Sequence, residues 1–119
     1  MEERLVNKVF ICGASEWNKA VSDLLWTTLD IRCTTRDIWG DKLNTKLLFR
    51  YIKHTEIVIV DLRNITAETM LIVGAAKMCD VAILGVGIED SSYAYNIVSD
   101  LCDLVIEDDE IADCITDFI

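Results

Sequence analysis

The chain has 119 residues, enough for one ordinary domain, and 52% of them are hydrophobic while 27% are charged. This balance indicates a compact core and excludes a disordered chain. No apolar run approaches the roughly 18 residues that a membrane-spanning helix needs, and the first residues lack the pattern of a signal peptide. We therefore expect one domain over residues 1–119, located in the cytoplasm and without a membrane partner.

The net charge is −10 and its distribution is uneven. Residues 1–77 carry 10 acidic and 11 basic side chains, whereas residues 78–119 carry 11 acidic side chains and no Lys or Arg. A nucleic-acid-binding protein needs a basic surface that displaces phosphate counterions. This distribution argues against DNA or RNA polymers as partners, but a small phosphorylated ligand is still compatible with the first two thirds.

Five cysteines, an odd number, are widely spaced and form no C-x-x-C pair. This spacing fits neither a disulfide framework nor a zinc site, so we expect small buried thiols in a reducing compartment. The single histidine, His54, has no Cys, Asp or Glu at ligand spacing, and we expect it at the surface or at a helix end. The sequence predicts no metal site and no cofactor.

Strand-like and helix-like segments alternate along the chain. In chain order, the predicted elements are a strand at 8–13, a helix at 15–29, a strand at 31–35, a polar loop at 36–41, a helix at 44–54, a strand at 56–62, a helix at 67–79, a strand at 81–86, a glycine-containing loop at 85–96, a helix at 95–101, a strand at 104–107 and a helix at 108–119.

Five such β-α units predict a single α/β domain, a three-layer sandwich with a five-stranded parallel sheet in flavodoxin-like order. The strands at 8–13 and 56–62 are apolar on both faces, which predicts central positions in the sheet. Ligands of such sheets bind at the carboxyl ends of the strands. This rule selects the segments 13–17, 61–69 and 85–96 as the candidate crevice.

Residues 61–76 read DLRNITAETMLIVGAA. The opening DLRN, the threonines at 66 and 69 and the small residues at 74 and 76 resemble the signature D-L-R-N-P-S-x-G-T-x-x-E-x-G-x-A. This is the signature of the nucleoside 2-deoxyribosyltransferase-like family, within the TIR-like and deoxyribosyltransferase superfamily. The runs VFICGAS at 9–15 and CDLVIEDDEI at 102–111 are similar to the first strand and the last strand and helix of that family. The resemblance implies a nucleoside-binding fold.

Two departures from the signature bear on chemistry. Ile72 stands where the family places its nucleophilic glutamate, and Glu68 replaces the glycine before Thr69. An aliphatic side chain cannot form the glycosyl-enzyme intermediate that the family uses. The resemblance therefore implies a degenerate member that binds a nucleoside or nucleotide without efficient transfer. The alternative is an active N-glycosidase or deoxyribosyltransferase in which Glu68, one helical turn away, is the catalytic residue.

Six residues of the candidate crevice are predicted to bind the ligand: Gly13, Ser15, Asp61, Arg63, Asn64 and Thr69. Asp61 either bonds ribose hydroxyls or caps the following loop. Arg63 pairs with a ligand phosphate or is simply solvated, and the solvated interpretation is favoured. Ser15 also fits the cap of the first helix. Tyr93 and Tyr95 either stack on a base or pack in the core.

The helix at 67–79 is apolar around most of its circumference, so one buried face would leave apolar surface uncovered. The resembled family assembles through this region, and the small residues 74–76 permit close approach. We therefore expect a homodimer or a higher homo-oligomer.

Two other classes of α/β domain share the predicted element order. A receiver domain would have an acidic pair after the first strand and a lysine after the strand at 81–86, and this chain has neither. A flavodoxin would wrap its flavin phosphate with a loop rich in Ser and Thr, whereas the first loop here reads GASEWN.

Overall fold

The computed structural model describes residues 8–88 and 92–118. Five β-α units follow one another, as the sequence predicts. In chain order the elements are β1 (Val9–Cys12), α1 (Ser15–Leu29), β2 (Cys33–Thr35), a 3₁₀ turn (Arg36–Trp39), α2 (Thr45–Lys53), β3 (Ile57–Asp61), α3 (Ala67–Met78), β4 (Ala82–Val86), α4 (Tyr93–Leu101), β5 (Leu104–Ile106), a second 3₁₀ turn (Asp108–Glu110) and α5 (Ile111–Phe118).

The five strands form one parallel sheet in the order β2-β1-β3-β4-β5, which is the predicted flavodoxin-like order. β3 lies at the centre with β1 beside it, so both strands have neighbours on either side. Every residue of these two strands is buried. The prediction that they are central is therefore confirmed, and its reason is their apolar composition on both faces.

Alternate residues of the sheet face two separate helix layers. One layer is α1 and α5, which pack through Val21, Leu25, Ile111 and Ile115 on one face of the sheet. The other layer is α2, α3 and α4, which pack on the opposite face. This is a three-layer sandwich, with the core divided by the sheet.

The start of α1 differs from the prediction. Ala14 is the N-cap residue, and no side chain caps the helix. The Ser15 hydroxyl instead donates to Asp37 Oδ1 at 2.7 Å. The expectation that Ser15 caps this helix is therefore wrong, because its side chain is bound across the loop rather than to its own backbone.

The segments predicted as loops contain more structure than expected. The polar loop at 36–41 forms a 3₁₀ turn at Arg36–Trp39, where the Thr35 hydroxyl accepts from the backbone N–H of Asp37. α4 begins at Tyr93, two residues before the predicted start, because the Ser92 hydroxyl accepts from the N–H of Tyr95. Each of these caps depends on one polar side chain, so it adds no periodic pattern of apolar residues from which the helix start could be predicted.

α3 has an inner face and an outer face. Its inner face lies on the sheet and between α2 and α4, and its buried members are Thr69, Ile72, Val73, Ala75 and Ala76. Its outer face exposes Met70, Leu71 and Met78 to 40%, 38% and 85%. The helix is therefore buried on one side by its own chain, and its apolar outer side is exposed in the single chain.

Several smaller expectations can be compared with the described part of the chain. His54 is exposed at the end of α2, as expected. All five cysteines are free, but only Cys12 is buried and the other four are partly buried, so the expectation of burial is only partly correct. Within residues 8–88 and 92–118, no helix combines the length and the apolar composition that crossing a bilayer requires.

Candidate functional site

A cavity of about 230 Å³ opens at the carboxyl edge of the sheet, where the loops after β1, β2 and β3 converge. From β1 the chain passes to β2 on one side of β1 and then to β3 on the other side. The strand order therefore reverses between β1 and β3, and the cavity lies at this position, where such folds bind ligands. Its lining residues are Cys12, Gly13, Ala14, Ser15, Arg36, Asp37, Gly40, Asn64, Thr66, Glu68 and Thr69. The volume is below the roughly 300–1,000 Å³ of drug-sized pockets and fits a small ligand.

Asp37 is held at the α1 side of the cavity. Its Oδ1 accepts from the Ser15 hydroxyl, and its Oδ2 accepts from the Asn18 side-chain nitrogen at 3.1 Å and from the Thr35 hydroxyl at 3.4 Å. Burial, the largest single influence, raises the pKa of Asp37, but these hydrogen bonds together outweigh it and leave the pKa below its usual value. Asp37 is therefore a fixed negative charge.

Glu68, the second carboxylate of the cavity lining, is held by a guanidinium. Arg36 Nε donates to Glu68 Oε1 at 2.5 Å, and a second Arg36 nitrogen donates to Oε2 at 2.9 Å. Arg36 also donates to the carbonyl of Gly40. Hydrogen bonding from Arg36 lowers the pKa of Glu68, and the same bond raises the pKa of Arg36. We call the five residues Ser15, Asn18, Arg36, Asp37 and Glu68 the cavity cluster.

The start of α3, which carries Glu68, also lines the cavity with Thr66 and Thr69. The Thr66 hydroxyl accepts from the N–H of Thr69, and the Thr69 hydroxyl accepts from the N–H of Thr66, which is a reciprocal capping box. Burial raises the pKa of the neighbouring Cys12 thiol to about 12, so this thiol is not a nucleophile near neutral pH. The exposed Asn64 amide makes no side-chain hydrogen bond within the described part of the chain.

A second polar cluster lies beside the cavity and is closed. Arg63 donates to Asp61 Oδ1 at 3.0 Å and to both oxygens of Asp108 at 2.6 and 3.0 Å. Trp17 Nε1 donates to the same Asp108 carboxylate at 2.9 Å. The hydrogen bonds that Arg63 donates to Asp108 raise the pKa of Arg63 and lower the pKa of Asp108. We call Trp17, Asp61, Arg63 and Asp108 the arginine cluster.

Two glycines permit this close packing. A Cβ on Gly13 would lie 2.5 Å from the Trp17 ring and 3.0 Å from Asp61 Cβ. Gly87 has a φ of +101°, and a Cβ there would lie 2.6 Å from Arg63 Nε. The backbone therefore approaches the two large side chains of the arginine cluster so closely that no other residue fits at either position without a shift.

The structure divides the predicted site residues into two groups. Gly13, Ser15, Asn64, Glu68 and Thr69 line the cavity together. The other two predicted residues, Asp61 and Arg63, belong to the arginine cluster and do not line the cavity.

The contacts of Asp61 and Arg63 distinguish between the alternative roles predicted for each residue. Asp61 accepts from the N–H of Arg63 at 3.0 Å, so it caps the turn after β3 as one alternative predicted. The favoured interpretation of Arg63 as a solvated side chain is only partly correct, because the residue is exposed but its guanidinium pairs with two carboxylates.

Arg36 and Asp37 are the charged cavity residues that sequence reasoning missed. They follow β2 directly, at the same carboxyl edge that selected the other segments. The rule that strand ends meet at one edge applied to them as well, but the loop after β2 was not included among the candidates. The flavodoxin-like order places β2 next to β1 and so brings this loop to the cavity.

Ile72 lies in the core below the cavity. Its side chain is fully buried in the cluster that joins α3 to the sheet, and it is not among the lining residues. A carboxylate at this position would be enclosed by apolar neighbours, which disfavours its charged form. Ile72→Glu is therefore expected to destabilise the core, so this variant cannot test whether a glutamate at position 72 would restore catalysis.

The segment at 85–96 contributes nothing to the cavity within its described residues, and residues 89–91 lie outside the part that the structure describes. Tyr93 is 81% exposed at the start of α4, and Tyr95 packs against the core. In the described ranges, no group of three His, Cys, Asp or Glu side chains is placed to hold a metal ion.

These features define a doubly wound α/β domain with a polar cavity at the reversal of strand order. The chain matches no family model and no curated protein. Among solved structures, it is similar to a Clostridium botulinum CMP N-glycosidase, BcmB, with 19% sequence identity and a TM-score of 0.53. The match covers 84% of this chain and 88% of the glycosidase chain, so the two share a fold over most of their length.

Proposed function

We propose that this chain is a nucleoside 2-deoxyribosyltransferase-like protein that binds a nucleoside or nucleotide in the cavity without efficient transfer or hydrolysis. The position of the cavity at the reversal of strand order supports the binding role. The likeness in fold to a CMP N-glycosidase supports the class of ligand. The pairing of Glu68 with Arg36 supports the absence of efficient transfer or hydrolysis.

Cleavage of an N-glycosidic bond needs either a carboxylate that attacks the anomeric carbon or an acid that protonates the leaving base. Both oxygens of Glu68 accept hydrogen bonds from Arg36, and its pKa is lowered. The two hydrogen bonds from Arg36 stabilise the charged carboxylate, which weakens it as a nucleophile and disfavours the protonated form that an acid catalyst needs. The pKa of Asp37 is lowered too. Neither carboxylate at the cavity is therefore prepared for this chemistry.

The same groups are suited to binding. A carboxylate oxygen has two lone pairs, so Glu68 and Asp37 retain acceptor capacity for ligand hydroxyls after their present bonds. Asn64 adds an amide that can donate and accept. Hydroxyl groups of a sugar are recognised by such acceptors and donors, and the fixed positions of the carboxylates keep the entropic cost of binding small.

The test is to incubate the full chain with cytidine, 2′-deoxycytidine and CMP, to measure free cytosine by chromatography and to measure binding by calorimetry. We expect binding without base release, and we expect Glu68→Gln to weaken binding. Glu56→Gln is the matched control, because Glu56 is exposed before β3, at the opposite edge of the sheet. Base release that Glu68→Gln abolishes would establish the alternative, an active N-glycosidase. Absence of binding would contradict the proposal.

We also propose that the chain forms a homodimer through the outer face of α3. Three large apolar side chains, Met70, Leu71 and Met78, are exposed there, and Phe49 and Ile97 are exposed on the flanking helices. A two-fold contact would cover the same apolar surface on both copies at once. Sedimentation should show a dimer at micromolar concentration. Leu71→Glu should give a monomer, whereas Trp26→Glu on the other helix layer should not. A monomeric wild type would contradict the proposal.

The five free cysteines are consistent with a reducing compartment, and we propose a cytoplasmic location on that basis. Cell fractionation with an antibody to the chain tests this directly. Recovery of the protein in an oxidising compartment would contradict it.

A further inference from the structure

The helix after the first strand is where doubly wound folds hold the phosphate of a nucleotide, because its free N–H groups and its dipole attract an anion. In this chain that helix is α1, which has 15 residues and begins at the rim of the cavity. Its N-cap residue is Ala14, so no capping side chain covers the first N–H groups.

Asp37 already supplies an anion to this position. Its carboxylate accepts from two side chains of the first turn of α1, Ser15 at 2.7 Å and Asn18 at 3.1 Å. The two side-chain donors that lie beside these N–H groups are therefore bound to a residue of the chain itself. A phosphate that entered here would meet a charge of its own sign within a few ångströms.

The described cavity lining contains one cation, and that cation is already paired. Arg36 is the sole guanidinium or ammonium among those lining residues, and it is bound to Glu68 and to the Gly40 carbonyl. Arg63 is held outside the lining by Asp61 and Asp108. The lining thus carries two carboxylates and one guanidinium, which leaves it negatively charged.

The cavity cluster also contains a buried residue that holds Asp37 in place. Asn18 is fully buried, and its side-chain nitrogen donates to the Gly13 carbonyl and to Asp37. Nothing among the described residues donates to its Oδ1. Asn18 is not among the cavity-lining residues, so this oxygen is a buried acceptor behind Asp37 and does not contact the ligand.

We infer that the cavity takes the uncharged nucleoside and rejects its phosphorylated form, and that Asp37 is the residue that sets this specificity. The inference rests on the proposed function, since it concerns the ligand of the same cavity. It distinguishes this chain from a protein that acts on CMP, although the two share a fold.

The experiment is calorimetric titration of the full chain with cytidine and with CMP. We expect wild type to bind cytidine at least about tenfold more tightly, which corresponds to about 1.4 kcal/mol. Asp37→Asn removes the charge while keeping the shape, and we expect it to tighten CMP binding about tenfold relative to cytidine. Asp41→Asn is the control, because this exposed residue in the same loop is not among the lining residues.

Each result has one meaning. If wild type binds CMP as tightly as cytidine, or if Asp37→Asn leaves their ratio unchanged, the inference is wrong while the proposed function stands. If neither ligand binds to wild type or to the variant, the proposed function itself fails. Circular dichroism of Asp37→Asn verifies folding, and the wild-type ratio decides the inference even if that variant does not fold.

Discussion

The arginine cluster and the cavity cluster lie side by side at one edge of the sheet and use the same residue types. Each contains one arginine and two carboxylates. In the arginine cluster, Arg63 bonds both carboxylates at once, and Trp17 covers one of them. Each of the three guanidinium nitrogens of Arg63 and the indole nitrogen of Trp17 donates to one of these carboxylates.

The cavity cluster divides its charges differently. Arg36 bonds Glu68 alone, while Asp37 is held by the neutral side chains of Ser15 and Asn18. The two carboxylates therefore have separate partners, and both line the cavity of about 230 Å³. The comparison teaches that a list of charged residues does not identify a site. What matters is whether one cation joins the acids or separate partners hold them apart.

The largest expected effect is at Gly13, which lies between the two clusters. Gly13→Ala should lower the free energy of unfolding by about 3 kcal/mol, because its Cβ would overlap the Trp17 ring, which is held by Asp108. Gly74→Ala is the matched control. Open space surrounds that position in α3, so the better helix propensity of alanine should add about 1 kcal/mol. Urea unfolding measures both, and equal effects would contradict the close packing at Gly13.

The next effect distinguishes the two arginines. Arg63→Met should cost about 2 kcal/mol, because it leaves the buried Asp61 carboxylate without its cation. Arg36→Met should cost less than about 1 kcal/mol, because Glu68 can take up water from the cavity. Urea unfolding followed by tryptophan fluorescence gives both values. A larger loss of stability for Arg36→Met than for Arg63→Met would contradict this difference between the cavity cluster and the arginine cluster.

Acid sensitivity is the smallest expected difference. The hydrogen bond from Arg36 holds the pKa of Glu68 below its ordinary value of 4.5. The stability that this pair contributes is therefore present above that value and is lost as the pH falls through the lowered pKa. Between about pH 5 and about pH 3, Arg36→Met should lose stability less steeply than wild type and than the control Lys42→Met, which removes an exposed cation. Parallel unfolding profiles would contradict this.

The fold was predictable because its signals are local and repeated. The strands at β1 and β3 are apolar on both faces, and this alone indicated their central positions. The helix starts were less predictable, since α1 has no side-chain cap and the cap of α4 is a single serine. Such starts depend on one hydrogen bond and leave no periodic pattern.

The candidate site was predictable only in part, because its members are joined by contacts across the chain. Arg36 and Glu68 are 32 residues apart, and Arg63 and Asp108 are 45 apart. Spacing along the sequence contains no sign of either pair. Since a side chain such as Arg63 can face a ligand or another residue, its partner decides its role, and only the folded chain shows that partner.

We expect the cavity cluster to bind the ligand and the arginine cluster not to bind it. A crystal structure of the full chain soaked with cytidine tests it most directly. We predict that the nucleoside lies in the cavity against Asp37 and Glu68, with its N-glycosidic bond intact and the contact between Arg63 and Asp108 unchanged. A nucleoside bound against Arg63 after that contact has opened, or a cavity that stays empty at saturating cytidine, would contradict the account.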